Sequence, residues 1–186
     1  VIVMFLKPHK SLLERQLWDA IESGSNSERI RAAAALAEYD SNSEQWKQFR
    51  DDVVTALVSV PYFESDKWIA MLRPVGSILV APLDSRFRDR SSIRDTEQRL
   101  VAAALSDYLT AKPQLLKELI LSADSDREFQ PMLAALSNHK QLVVPEFKSL
   151  LTQSPPKRAE PDKRDAFWKK QANAAVCLLE LGDTES

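Results

Sequence analysis

Apolar residues along this chain recur with the period of a helix rather than of a strand. Ile30, Ala33, Ala34 and Ala37 fall at i, i+3, i+4 and i+7, and Val101, Ala104, Leu105 and Tyr108 repeat that spacing. Near the C-terminus, Trp168, Ala172, Ala175, Val176 and Leu179 are read as one apolar face of a helix. No alternating apolar–polar run is long enough to require a sheet. The stretch "QLVVPEF" could be a strand in isolation, but Pro145 argues against it.

Start signals sharpen the boundaries. Ser25-x-x-Glu28, Ser41-x-x-Glu44 and Ser125-x-x-Glu128 fit the capping box, in which serine takes an orphan N–H and glutamate reaches back. Pro74 and Pro113 suit first helical positions. The pattern predicts helices at about 8–23, 26–39, 43–59, 62–72, 74–89, 95–110, 113–122, 126–138, 141–153 and 164–181. Polar linkers such as "GSNS" join them, the longest being Gln153 to Asp165.

Three of these helices echo one another as "RAAAALAEYD", "LVAAALSDYL" and "QANAAVCLLELGD". Tyr39 and Tyr108 lie 69 residues apart, and Tyr108 and Leu181 lie 73 apart. Both spacings are about twice the length of a helix-pair repeat. Pro8, Pro82 and Pro145 precede the alanine-rich helices, each with an apolar residue five positions on (Leu13, Phe87, Leu150). This predicts an antiparallel helix pair repeated five times, with a proline in the first helix and close-packing alanines in the second.

The run Arg29, Ala32, Ala33, Ala35, Leu36 and Tyr39 resembles the second helix of HEAT and armadillo-type repeats. The resemblance implies an all-α, right-handed α-α superhelix of about five helix pairs, forming one domain over residues 1–186. The pairs at 43–72 and 113–138 lack the alanine run. The order "KWIAMLRPVGSILVAPLDSRFRD", an alanine-rich helix, "PQLLKELI" and "KKQANAAVCLLELG" resembles a helical-repeat segment of large bacterial multidomain proteins. Those proteins carry Ser/Thr kinase and formylglycine-generating-enzyme-like domains. The resemblance implies a scaffold or protein-interaction segment, itself not an enzyme, whose partners are proteins or neighbouring domains of a parent chain. No kinase signature occurs in these residues. Because the chain begins with Val1, it is read as a piece of a longer protein.

Composition supports a packed helical chain: apolar residues make up 44%, charged residues 28%, and there are three glycines. A net charge of −2 argues against a dedicated nucleic-acid binder. The alternative is a nucleic-acid-binding HEAT-like repeat similar to alkylation-repair DNA glycosylases; a bilin-lyase-like enzyme is a third option with no residue to carry it. "VIVMFL" is too short to cross a membrane. The single Cys177 leaves no internal disulfide, and a reducing, cytoplasmic setting is expected.

Candidate chemistry is sparse. Arg86, Arg88, Arg90 and Arg94 precede a helix and could contact an anion or acidic partner, although Asp84, Asp89 and Asp95 interleave with them. Lys157 to Lys170 combines six basic and three acidic residues with Phe167 and Trp168, the most nucleic-acid-like patch. Trp168 is nevertheless placed on an apolar packing face, and Trp18, Trp46 and Trp68 between helices. Cys177 is read as a core residue, His9 and His139 as too far apart for a metal site, and "DSDREF" as a helix start rather than a calcium loop. No catalytic residue, cofactor site or metal site is expected.

Overall fold

A computed structural model describes residues 10–89, 95–155 and 160–182. Among these residues every regular element is helical: α1 (Lys10–Ser23), α2 (Asn26–Tyr39), α3 (Gln45–Val58), α4 (Ser65–Leu72), α5 (Gly76–Arg88), α6 (Asp95–Tyr108), α7 (Pro113–Ser122), α8 (Asp126–Ser137), α9 (Lys140–Leu151) and α10 (Pro161–Glu180). Short 3-10 turns at Tyr62–Glu64 and Arg73–Val75 lead into α4 and α5. The predicted helices are therefore found, most with ends displaced by one to three residues. Pro74 lies in the second 3-10 turn, whereas Pro113 opens α7 as expected.

The capping boxes separate into three outcomes. Ser25 and Glu28 form the full reciprocal pair at α2. Ser41 and Glu44 do not: α3 begins at Gln45, whose N–H donates to Ser43 Oγ instead. At α8 the Ser125 side chain makes no cap bond, and buried Glu128 reaches one residue further, accepting from the Asp124 N–H at 2.9 Å. Pro82, Pro131 and Pro145 all lie inside helices that run through them. Pro8 lies outside the described residues. "QLVVPEF" is part of α9.

The chain packs as two compact units, Val1–Tyr108 and Leu109–Ser186. In the first, α1 packs on α3 and α3 on α5, while α2 packs on α4 and α4 on α6. Contacts α1–α2 and α5–α6 join the two rows. The alanine run sits in the middle: α2 touches α1, α3 and α4. Ile30, Ala32, Ala33, Ala34, Leu36 and Ala37 are all buried. A helix enclosed on several sides needs small residues around much of its circumference, which the alanines supply. Arg29 ties the neighbours together. Its Nη2 donates to the Glu22 carbonyl at the end of α1 (2.9 Å), and its Nη1 lies 3.2 Å from Asp52 of α3. In α6, Val101, Ala102, Ala104, Leu105 and Ser106 are buried, so the 69-residue echo extends to packing.

In the second unit α7 is the hub, packing on α8, α9 and α10, while α9 also packs along α10. The face predicted for α10 is the wrong one. Trp168, Ala172, Val176 and Leu179 are exposed, Leu179 at 64%, whereas Ala174, Cys177, Leu178 and Leu181 are buried. Both sets have helical spacing, and polar anchors select between them. Asn173 Nδ2 lies 3.0–3.2 Å from the carbonyls of Ile120, Leu121 and Ala123, closing the C-terminus of α7. Gln171 Nε2 donates to the carbonyls of Leu150 (2.8 Å) and Gln153 (2.9 Å), closing α9. The last carbonyls of a helix have no partner within it, so these amides satisfy acceptors that burial would otherwise strand.

Candidate functional site

Of the four arginines, Arg86 and Arg88 lie among the described residues. Arg86 Nη2 donates to Thr55 Oγ1 of α3 at 2.6 Å, and Arg88 Nε sits 2.9 and 3.0 Å from the two Asp84 carboxylate oxygens. Both guanidiniums thus have partners within their own unit. Arg90 and Arg94 lie outside the described residues.

The basic patch over the start of α10 also divides. Lys163 pairs with Glu160 at 3.2 Å, and Lys169 reaches the Ser122 carbonyl at 2.8 Å and the Asp124 carboxylate. Trp168, expected to pack, is 52% exposed with the Phe167 ring edge-on beside it. Trp18, Trp46 and Trp68 are buried between helices as expected. Trp18 meets Trp46 edge-on at 5.0 Å and stacks on Phe49 at 5.8 Å.

Cys177 is fully buried, and burial pushes its thiol up to about 12, where thiolate is negligible at neutral pH. His139 Nε2 lies 2.7 Å from the Thr110 carbonyl, a contact that requires a proton on that nitrogen. His9 lies outside the described residues. Among the described residues no three His, Cys, Asp or Glu side chains come together as metal ligands, and no helix is long and apolar enough to cross a membrane. "DSDREF" starts α8, as expected.

One concave feature of the first unit was not anticipated. A groove of about 630 Å³ runs between α1 and the start of α3. Glu14, Asp19 and Glu22 of α1 face Glu44 across it, and Arg15 also lines it. Trp18 and Phe49, 5% and 8% exposed, form its apolar part. Among the described residues, the buried Trp18 indole N–H has no acceptor. Glu44 is paired with Lys47 at 2.6 Å, both side chains largely exposed. The acids are separated in sequence by helix α2, so the groove appears only once α1 and α3 lie side by side. A visible signal existed: Asp19 and Glu22 share a helix face at i, i+3.

Comparison of the chain with protein-family models, with curated proteins and with solved structures finds no match.

Proposed function

We propose that this chain is a stack of HEAT-like helix pairs acting as a non-catalytic scaffold, a protein-interaction segment of a larger bacterial signalling protein. The observation that carries the reading is the packing of α1–α6. Each of α1 to α4 contacts the helix two positions on, and the alanine-bearing helices bury four equivalent pairs 69 residues apart: Ala32 and Val101, Ala33 and Ala102, Leu36 and Leu105, Ala37 and Ser106. Pairs that stack in this way bury a shared core and leave helix faces and inter-helix grooves for a partner. The kinase and formylglycine-generating-enzyme-like context rests on the sequence resemblance alone, and any such activity would belong to the parent chain.

Proximity labelling in cells, followed by reconstitution of the enriched candidate with the purified chain, tests the reading. A stoichiometric complex is expected. Failure of every reconstitution, together with substrate turnover in an activity screen, would overturn it.

A further inference from the structure

We infer that the outward face of α10 is a self-association surface, on which a second copy of this chain lays its own α10 antiparallel. Trp168, Ala172, Val176 and Leu179 form one stripe of that helix at i, i+4, i+8 and i+11, with Ala175 beside them. Trp168, Val176 and Leu179 are 52%, 43% and 64% exposed, whereas Ala174, Cys177 and Leu178 are buried where α10 packs on α7 and α9. The helix echo shows how such a stripe is used within the chain. Carried back through the 73- and 69-residue spacings, Ala172, Val176 and Leu179 correspond to Ile30, Ala34 and Ala37 of α2. Those three are buried, in a helix packed on by α1, α3 and α4. On α10 the same positions face water, with valine and leucine in place of two alanines. A helix laid on the stripe removes that apolar surface from water.

Charge and shape both favour a second copy of the same helix. The first half of α10 carries Lys163, Arg164, Lys169 and Lys170 against Asp162 and Asp165, and its second half carries Glu180 and no cation. Lys163 and Lys169 are paired with Glu160 and Asp124, while Arg164 and Lys170 are exposed. An antiparallel copy sets each basic half beside the other copy's acidic end and opposes the two helix dipoles. A parallel copy sets like ends together. The stripe is also bulky at its ends, Trp168 and Leu179, and small in its middle, Ala172 and Ala175. Two crossing helices approach most closely at the crossing point, where alanines let the backbones come near, and diverge toward bulkier ends. A twofold axis passing between residues 172 and 175 brings Trp168 of one copy beside Leu179 of the other, at both ends of the contact. One tryptophan, one leucine and one valine per copy fall short of the area that an obligate dimer buries, so the pairing is weak and reversible.

The test is sedimentation velocity of the whole chain across a concentration series. The mean mass should rise from one chain toward two, with a dissociation constant of roughly 10–100 µM. Trp168→Ser with Leu179→Ser should weaken dimerisation at least about tenfold while circular dichroism stays unchanged, since both side chains are exposed. Phe63→Ser, at an 84% exposed position of the first unit, should change it by less than about twofold. Spin labels on Arg164→Cys chains report the orientation, because buried Cys177 resists labelling. An antiparallel pair centred between residues 172 and 175 places the two labels about 30 Å apart, and a parallel pair about 10 Å. A single-chain mass at every concentration, equal loss in the α10 and Phe63 variants, or the short label distance would overturn the inference. A chain that stays monomeric yet sediments with phosphatidylserine vesicles through Trp168 would also overturn it, assigning the face to a lipid surface. None of these outcomes bears on the scaffold reading, which is tested by its own reconstitution.

Discussion

Replacing Ala33 by Leu asks whether the alanine run is a close-packed seam or only good helix former. Ala33 is completely buried, and α2 is held by α1, α3 and α4 at once. Two outcomes of opposite sign are possible. If unfilled space lay beside Ala33, three added carbon groups would stabilise by about 2.4 kcal/mol, at about 0.8 kcal/mol each. If the interior is filled, forcing them in costs about 1–3 kcal/mol through displaced backbone and strained rotamers. Enclosure by three helices leaves no direction in which α2 can retreat, so the second outcome is predicted. For a chain of this size the loss corresponds to roughly 2–4 °C of Tm per kcal/mol. Urea unfolding followed by tryptophan fluorescence measures it. A Trp168→Phe background restricts the signal to Trp18, Trp46 and Trp68, which share the unit. Ala35→Leu, at a half-buried position of the same helix, should lie within about 0.5 kcal/mol of the parent. An Ala33→Leu chain as stable as its parent, or more stable, would refute the packing argument.

Gly76→Ala should destabilise the first unit by roughly 1–3 kcal/mol, since a Cβ there would stand 2.7–2.8 Å from carbons of the Tyr108 ring; urea unfolding would show it. Asn173→Ala should cost about 1–3 kcal/mol by leaving the α7 carbonyls without their donor. Asn173→Asp should be worse at neutral pH, because a carboxylate would face those carbonyls. Its excess cost should shrink on acidification, as the folded state favours the protonated form, and pH-resolved thermal melts would reveal a flat difference if this is wrong. Cys177 should resist thiol reagents in the folded chain and react at an ordinary rate once urea unfolds it; rapid native labelling would contradict its burial.

Helix positions were legible in the sequence because the signals were local. Hydrophobic spacing, Ser25 with Glu28 and the proline at 113 act within one turn, and each marked a boundary found in the structure. The capping box at Ser41 failed because Ser43, closer to the first helical N–H, took its place. The error on α10 is instructive. Its apolar residues offer two helical stripes, and local bulk favours the one carrying Trp168. The 73-residue echo already pointed to the other. It carries Val101, Ala104, Leu105 and Tyr108 onto Ala174, Cys177, Leu178 and Leu181, the side that is buried. The deciding interactions, Gln171 and Asn173 closing the ends of α9 and α7, span 18–53 residues of chain. Single-helix periodicity contains no term for them.

The groove was hidden for the same reason. Asp19 and Glu22 look like ordinary solvated charges until α3 brings Glu44 and Phe49 alongside. The arginines at 86 and 88 had the opposite fate. They were conspicuous as a cluster in sequence, yet each is occupied by a neighbour within its own unit. Arg90 and Arg94, the rest of that sequence cluster, lie outside the described residues.

The central claim is that α2 is the enclosed heart of the first unit, which leaves binding to the faces its alanines do not occupy. Residue-resolved amide hydrogen exchange on the free chain tests this most directly. The account predicts that Ala32 to Ala37 exchange among the slowest amides of that unit, and that the turn at Tyr62–Glu64 exchanges among the fastest. Exchange in α2 as fast as in that turn would contradict it.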